Sequence, residues 1–242
     1  MTRWRLNRGG FDMTDDSTPI VSVEAQKNPH TQAEEISNAV TSGFGILLAL
    51  VGLYFLVTRS IATGDNWKIV TCTIYGLSLV IAYIFSTLYH GLTNKHGKSI
   101  MRLVDQIGIY ILIAGSYTPF VLIIIGGYWG WFMFAFVWIF ASVGITIRLA
   151  KNKVSKFVTT APYLAMGWAA LLMIKPLIEY SINYGWVCLI LVVAGGVSYS
   201  IGTFFYSQSW MSHNHAVWHL FVLTGSITHY FAVLLYVIPH PV

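Results

Sequence analysis

The chain has 242 residues, of which 56% are hydrophobic and only 10% charged, with a mean hydropathy of +0.65; it is too apolar and too poor in charge for a water-soluble domain. Its formal charge of +5 could suit a nucleic-acid binder, but the basic residues sit in short clusters between apolar runs, where anionic lipid head groups account for them better. Cys72 and Cys188 each lie inside an apolar run without a CxxC partner, so neither a disulfide framework nor a thiolate metal site is indicated.

Residues 1–33 mix Pro, Asp, Ser, Gln and Arg without periodicity and read as a flexible cytosolic tail. The segment has basic residues but no apolar core, so it is not a cleavable signal peptide. Residues 34–242 then read as one membrane domain. Seven stretches lack Asp, Glu, Lys and Arg for long enough, at roughly 20 residues each, to cross about 30 Å of hydrocarbon. They are Asn38–Val57, Ile69–Tyr89, Ile107–Ile125, Trp129–Ile147, Phe157–Ile174, Trp186–Tyr206 and His215–Ile238. A bilayer leaves open backbone groups without water, and the runs are too long and uniformly apolar for barrel strands, so the predicted fold is an all-α seven-transmembrane helix bundle. Gly126 and Gly127 predict the tightest turn. Trp67, Tyr89, Trp129, Trp186 and Tyr206 fall near span ends, as interfacial anchors do.

Orientation follows from the cationic residues, because translocating them is unfavourable. Arg3, Arg5, Arg8, Lys27, Lys95, Lys98, Arg102, Arg148, Lys151, Lys153 and Lys156 fall on one side, and only Arg59, Lys68 and Lys175 on the other. The N-terminus is therefore predicted to be cytoplasmic and the C-terminus outside, in a multi-pass protein of the cell membrane. Acidic residues are scarcer still: beyond Asp65 only Asp105 and Glu179 remain.

With the spans drawn, three distant pieces of sequence fall at one depth, on the cytoplasmic side. The second helix ends in Ser86-Thr87-Leu88-Tyr89-His90, the third starts near Asp105, and the seventh starts at His215-Ala216-Val217-Trp218-His219. His215 and His219 are four apart and share a helix face, as do Ser86 and His90. Three imidazoles with a fourth position left to water is the donor set of a catalytic zinc site, although Cu, Ni or Fe also accept imidazole. Asp105 could take a proton from the water at such an ion and Ser86 could position it. Each residue also has a plainer role. A histidine at a helix end can be an interfacial side chain, Asp105 can favour a helix start through the dipole, and Ser86 can bond its own backbone. The conjunction of all five at one level favours a shared site.

His213 reads as water-facing and His96 as a loop residue. His229 lies 14 residues beyond His215, about 21 Å deeper along the same helix, too far to share an ion. Glu34, Glu35 and Asn38 read as ordinary helix-start chemistry.

These residues resemble the haemolysin III family, the bacterial branch of the progestin and adipoQ receptor superfamily, related in motif to alkaline ceramidases. The matching pieces are Glu35-Ile36-Ser37-Asn38, Ser86 with His90, Asp105 followed by Gly108 and Gly115-Ser116-Tyr117-Thr118-Pro119, and His215 with His219 and His229. The resemblance implies zinc held by His90, His215 and His219, with Asp105 and Ser86 around its water. Many relatives carry His four residues after the helix-one Asn, where this chain has Ser42.

Two functions then compete. One is a zinc-dependent hydrolase of lipid amides or esters serving membrane lipid homeostasis, with membrane lipids as partners and substrates. The other is a non-enzymatic sensor of lipid state, or a pore-forming haemolysin, in which zinc only staples helices together. The sequence offers a pore little support, because no span carries a charged stripe or an acidic ring.

Overall fold

The computed structural model describes residues 30–150, 156–208 and 210–241, and these are almost entirely helical, with no strand among them. Helix α1 (Gln32–Ile61) opens on a capping box: Thr31 caps the first turn and the Glu34 carboxylate accepts the Thr31 amide hydrogen at 2.8 Å. It therefore starts six residues before the hydrocarbon-length stretch drawn from Asn38. Gln32 and Ala33, assigned above to the tail, belong to α1; residues 1–29 lie outside the described residues. Helix α2 (Asn66–Gly91) starts on Asp65, whose carboxylate accepts from the Trp67 and Lys68 amides.

Helix α3 (Lys95–Pro119) is capped by Asn94 and runs on through a wide π-type turn, Phe120–Ile125. It begins twelve residues before Ile107, because a charge-free window sees only the part in hydrocarbon while the helix extends through the basic segment Lys95–Arg102. Gly126 and Gly127 both adopt positive φ, 59° and 54°, and make the expected tight turn into α4 (Gly127–Ala150). The fifth span is longer than the stretch Phe157–Ile174: α5 (Lys156–Trp168) tightens into a 3₁₀ turn, Ala169–Met173, and continues as α6 (Ile174–Tyr184). Pro176 has no amide hydrogen to return to the turn before it, which fits the local change of pitch. Lys175 and Glu179 end the charge-free window but sit on the exposed face of α6. Helices α7 (Val187–Ser207) and α8 (Asn214–Ala232, extended by a wide turn Val233–Val237) complete the chain.

Among the described residues, seven helical stretches are long and apolar enough to cross a membrane, and the protein is a multi-pass membrane protein. Helices α1, α2 and α3 pack side by side, α4 lies against α3, α7 pairs with α8, and α1 meets α8 to close the bundle. Leu56, Tyr75 and Val233 are fully buried between them, and both cysteines are buried core residues. Outward-facing Val40, Leu47, Phe132 and Ile190 are more than half exposed. Such a surface would aggregate in water and is what hydrocarbon requires.

Deep in the bundle the polar groups close on one another. Ser226 of α8 collects the hydroxyls of Tyr83 at 3.1 Å and Tyr199 at 3.0 Å, and its carbonyl accepts from Tyr75. His229 lies against Gly195, where a Cβ would overlap its ring, and so reaches the Val192 carbonyl with its Nε2–H at 3.0 Å.

Candidate metal centre

Three imidazoles meet at one end of the bundle. His90 comes from the last turn of α2, and His215 and His219 from the first turns of α8. All three are buried, and each offers a nitrogen such that the three lie within 4.8 Å of one another. His90 Nε2 and His215 Nε2 are 3.1 Å apart, close to the roughly 3.3 Å between two ligands of a tetrahedral ion at Zn–N distances of about 2.0–2.1 Å. The three histidines predicted from sequence are thus brought together.

The surrounding bonds decide which nitrogens face inward. His90 Nδ1 is 2.8 Å from Glu35 Oε2. A carboxylate only accepts, so Nδ1 carries the proton and Nε2 keeps its lone pair. The Asn38 amide stands beside the same nitrogen at 3.4 Å. On His219, Nδ1 is 3.1 Å from Thr41 Oγ1. The Thr41 hydroxyl already donates to the carbonyls of Ser37 and Asn38, so its oxygen accepts the Nδ1 proton and His219 Nε2 is bare. Two buried imidazoles therefore direct bare nitrogens into one space, with outer partners that fix their tautomers, as metal-ligating histidines have. This donor set fits a divalent cation of the zinc type.

Ser86 Oγ lies 3.5 Å from His219 Nε2, at the edge of the cluster. Asp105 is buried and its carboxyl interacts with Ser86. It stands well inside α3, which begins at Lys95, so a helix-start role through the dipole does not apply. The histidine group does not include Asp105, leaving the carboxyl beside the cluster.

Five residues around the centre were given no part in it by the sequence reading. Glu35 and Asn38 were given the helix-start reading, which holds for Glu34 alone, and Thr41 was given none: Glu34 makes the capping box and also accepts the His213 amide hydrogen at 3.1 Å. Glu35, Asn38 and Ser42 are buried at intervals of three and four on α1, and that polar stripe on an apolar helix was the available signal. Ser42 turns back and donates to the Asn38 carbonyl at 2.7 Å. Lys98 was counted only as a loop cation, yet its ammonium is 3.0 Å from Glu35 Oε1. His30, placed in the tail, has its ring 5.2 Å from His215 and 6.2 Å from His90, centroid to centroid. His213 is exposed, as expected; His96 is exposed too, but on the first turn of α3 rather than in a loop. His229 is apart from the cluster, as its spacing required.

Of the three histidines, His215 lines a cavity of about 580 Å³, within the usual range for small-molecule sites. Asp105, Tyr206 and His215 line its polar end, and Leu112, Leu177, Val193 and Val222 its apolar length down to His229.

Fold and site together define a polytopic helical membrane protein with a buried three-histidine group beside a largely apolar cavity. Residues 30–230 match the family model described as Haemolysin-III related. The chain is 40% identical to the hemolysin-3 homolog of Bacillus subtilis (strain 168) over 211 residues, 87% of this chain and 98% of that protein. It is 39% identical to the hemolysin-3 of Bacillus cereus over 206 residues, 85% and 93% of the two chains. To the human monocyte to macrophage differentiation factor it is 32% identical over 216 residues, 86% of each. The chain belongs to the haemolysin III family.

Proposed function

We propose that this protein is a zinc-dependent hydrolase of lipid amides or esters, working in the cell membrane in lipid homeostasis, with the histidine centre at the cytoplasmic side. The observation that carries this reading is the convergence of His90, His215 and His219 on one space, with His215 and Asp105 lining a largely apolar cavity. A lipid reaching the cluster through that cavity keeps its acyl chain against Leu112, Leu177 and Val193 while its polar linkage lies beside Asp105. A zinc ion held by the three histidines would supply Lewis acidity there, bringing the pKa of a water molecule toward 7 and polarising the carbonyl under attack. The Asp105 carboxylate accepts the proton of the attacking water. The Ser86 hydroxyl, between Asp105 and His219, orients that water. Tyr206 and Trp218 pack against His215 at ring separations of 5.3 Å and 5.1 Å and keep bulk water from its face.

A second reading, zinc as a staple between α2 and α8, is favoured by the ligand origins, since one ligand comes from α2 and two from α8. Asp105 separates the two. Purified protein with its zinc content measured is presented with a broad set of lipid amides and esters, and products are read by mass spectrometry. A hydrolase releases fatty acid, and Asp105→Asn abolishes the release while retaining the metal. If zinc-loaded wild type cleaves none of them, the hydrolase is abandoned in favour of the staple.

A further inference from the structure

Lys98 lies in the first turn of α3, and its side chain turns back across the end of α2 rather than out to the head groups. The ammonium donates to the carbonyls of Tyr89 and Leu92, both at 3.2 Å, and forms an ion pair with Glu35 Oε1 at 3.0 Å. Its side chain is only 13% exposed, and that of Glu35 10%. The two carbonyls belong to the C-terminal end of α2, where the helix dipole is negative and backbone oxygens lack helical partners. The cation is therefore held by the same helix end that carries His90, whatever Glu35 does.

The Glu35 carboxylate is shared: Oε1 faces Lys98 and Oε2 accepts the His90 Nδ1 proton at 2.8 Å. A buried carboxylate bonded only to an imidazole can rotate about its last torsion or be lost to water. With one oxygen drawn to an anchored cation by charge, the other is turned toward His90, where it steers the plane and tautomer of the ring. We infer that Lys98 is a positioning residue of the metal centre, fixing the Glu35 carboxylate that in turn aims His90 Nε2 at the ion. The inference rests on the metal-centre reading and extends it to a side chain that never touches the ion.

The test is zinc or cobalt titration of the full-length protein in detergent or nanodiscs. Lys98→Met keeps the apolar stem and removes the charge; the expected result is metal affinity weakened about tenfold, the low end of the range for outer-shell partners of metal ligands. Lys98→Arg, which retains a cation of different shape, is expected to recover most of that loss. The deciding measurement is the same Lys98→Met change made on Glu35→Gln. If Lys98 acts through the carboxylate, it then costs less than about threefold, because neighbours acting as one unit are not additive. An equal loss in both backgrounds means Lys98 only closes the end of α2, and overturns the inference, as does a Lys98→Met protein binding metal like wild type. Thermal unfolding of the metal-free variants checks that each is folded; if Lys98→Met is not, Lys98→Gln is read by the same criteria. Wild type that binds no metal overturns the metal-centre reading and this inference with it.

Discussion

The two polar regions of the bundle solve the same problem in opposite ways. Around Ser226, three tyrosines and a serine satisfy one another, and nearby His229 is satisfied by a backbone carbonyl. Donors and acceptors balance there, and nothing further is required. Around His219 the polar groups instead turn ring nitrogens toward one another, His90 Nε2 to His215 Nε2 at 3.1 Å and His219 Nε2 to Ser86 Oγ at 3.5 Å. Glu35 and Thr41 take the Nδ1 protons of His90 and His219, so these rings present bare nitrogens to a common space that His215 also enters. Like acceptors gathered in a buried site repel unless a cation joins them. Buried polarity in a membrane protein is thus structural where the ledger of donors closes, and points to a ligand where it is left open on one sign.

The contrast can be broken most sharply by paired substitutions. His219→Ala is expected to reduce bound zinc, by elemental analysis of purified protein, from about one ion per chain to under about a tenth; Ser226→Ala should leave it unchanged. Asp105→Asn should lower lipid hydrolysis about 100-fold or more while keeping the metal, which simultaneous turnover and metal assays would show. Glu35→Gln removes the carboxylate acceptor and is expected to weaken zinc about tenfold in a competition titration with a chromophoric chelator. Thr41→Val keeps the shape but leaves His219 Nδ1 without its hydroxyl acceptor, for a loss of about threefold in the same titration. The smallest change belongs to the closed region: Tyr83→Phe should cost about 1 kcal/mol in thermal stability, measured by unfolding in detergent, with zinc affinity unaltered. A large loss of metal from Tyr83→Phe would mean the two regions act as one.

Much of this architecture was legible in the sequence, for physical reasons. Charge-free runs of bilayer length must be spanning helices, and each of the seven is found. Their ends were not legible, because the capping box at Thr31 and the Asn94 cap of α3 extend helices through charged residues that a hydropathy reading assigns to tail or loop. The histidines were legible because spacing by four and a common depth are properties of helices drawn independently of them. Glu35 was not, since an acid in a first turn has an ordinary explanation, and only its burial separates it from Glu34. Lys98 was hidden by the counting that oriented the chain, which treats every cation near a span end as facing lipid head groups. His30 precedes α1 with no periodicity to place it.

The centre also links the two ends of the described chain. Glu35, Asn38 and Thr41 come from the first span and His215 and His219 from the last, and Glu34 holds the amide of His213 immediately before them. During synthesis the first helix enters the membrane long before its histidine partners exist. An ion that needs all three histidines could be captured only once the final span has docked, so a chain stalled short of that span would reach the bilayer without a complete ligand set.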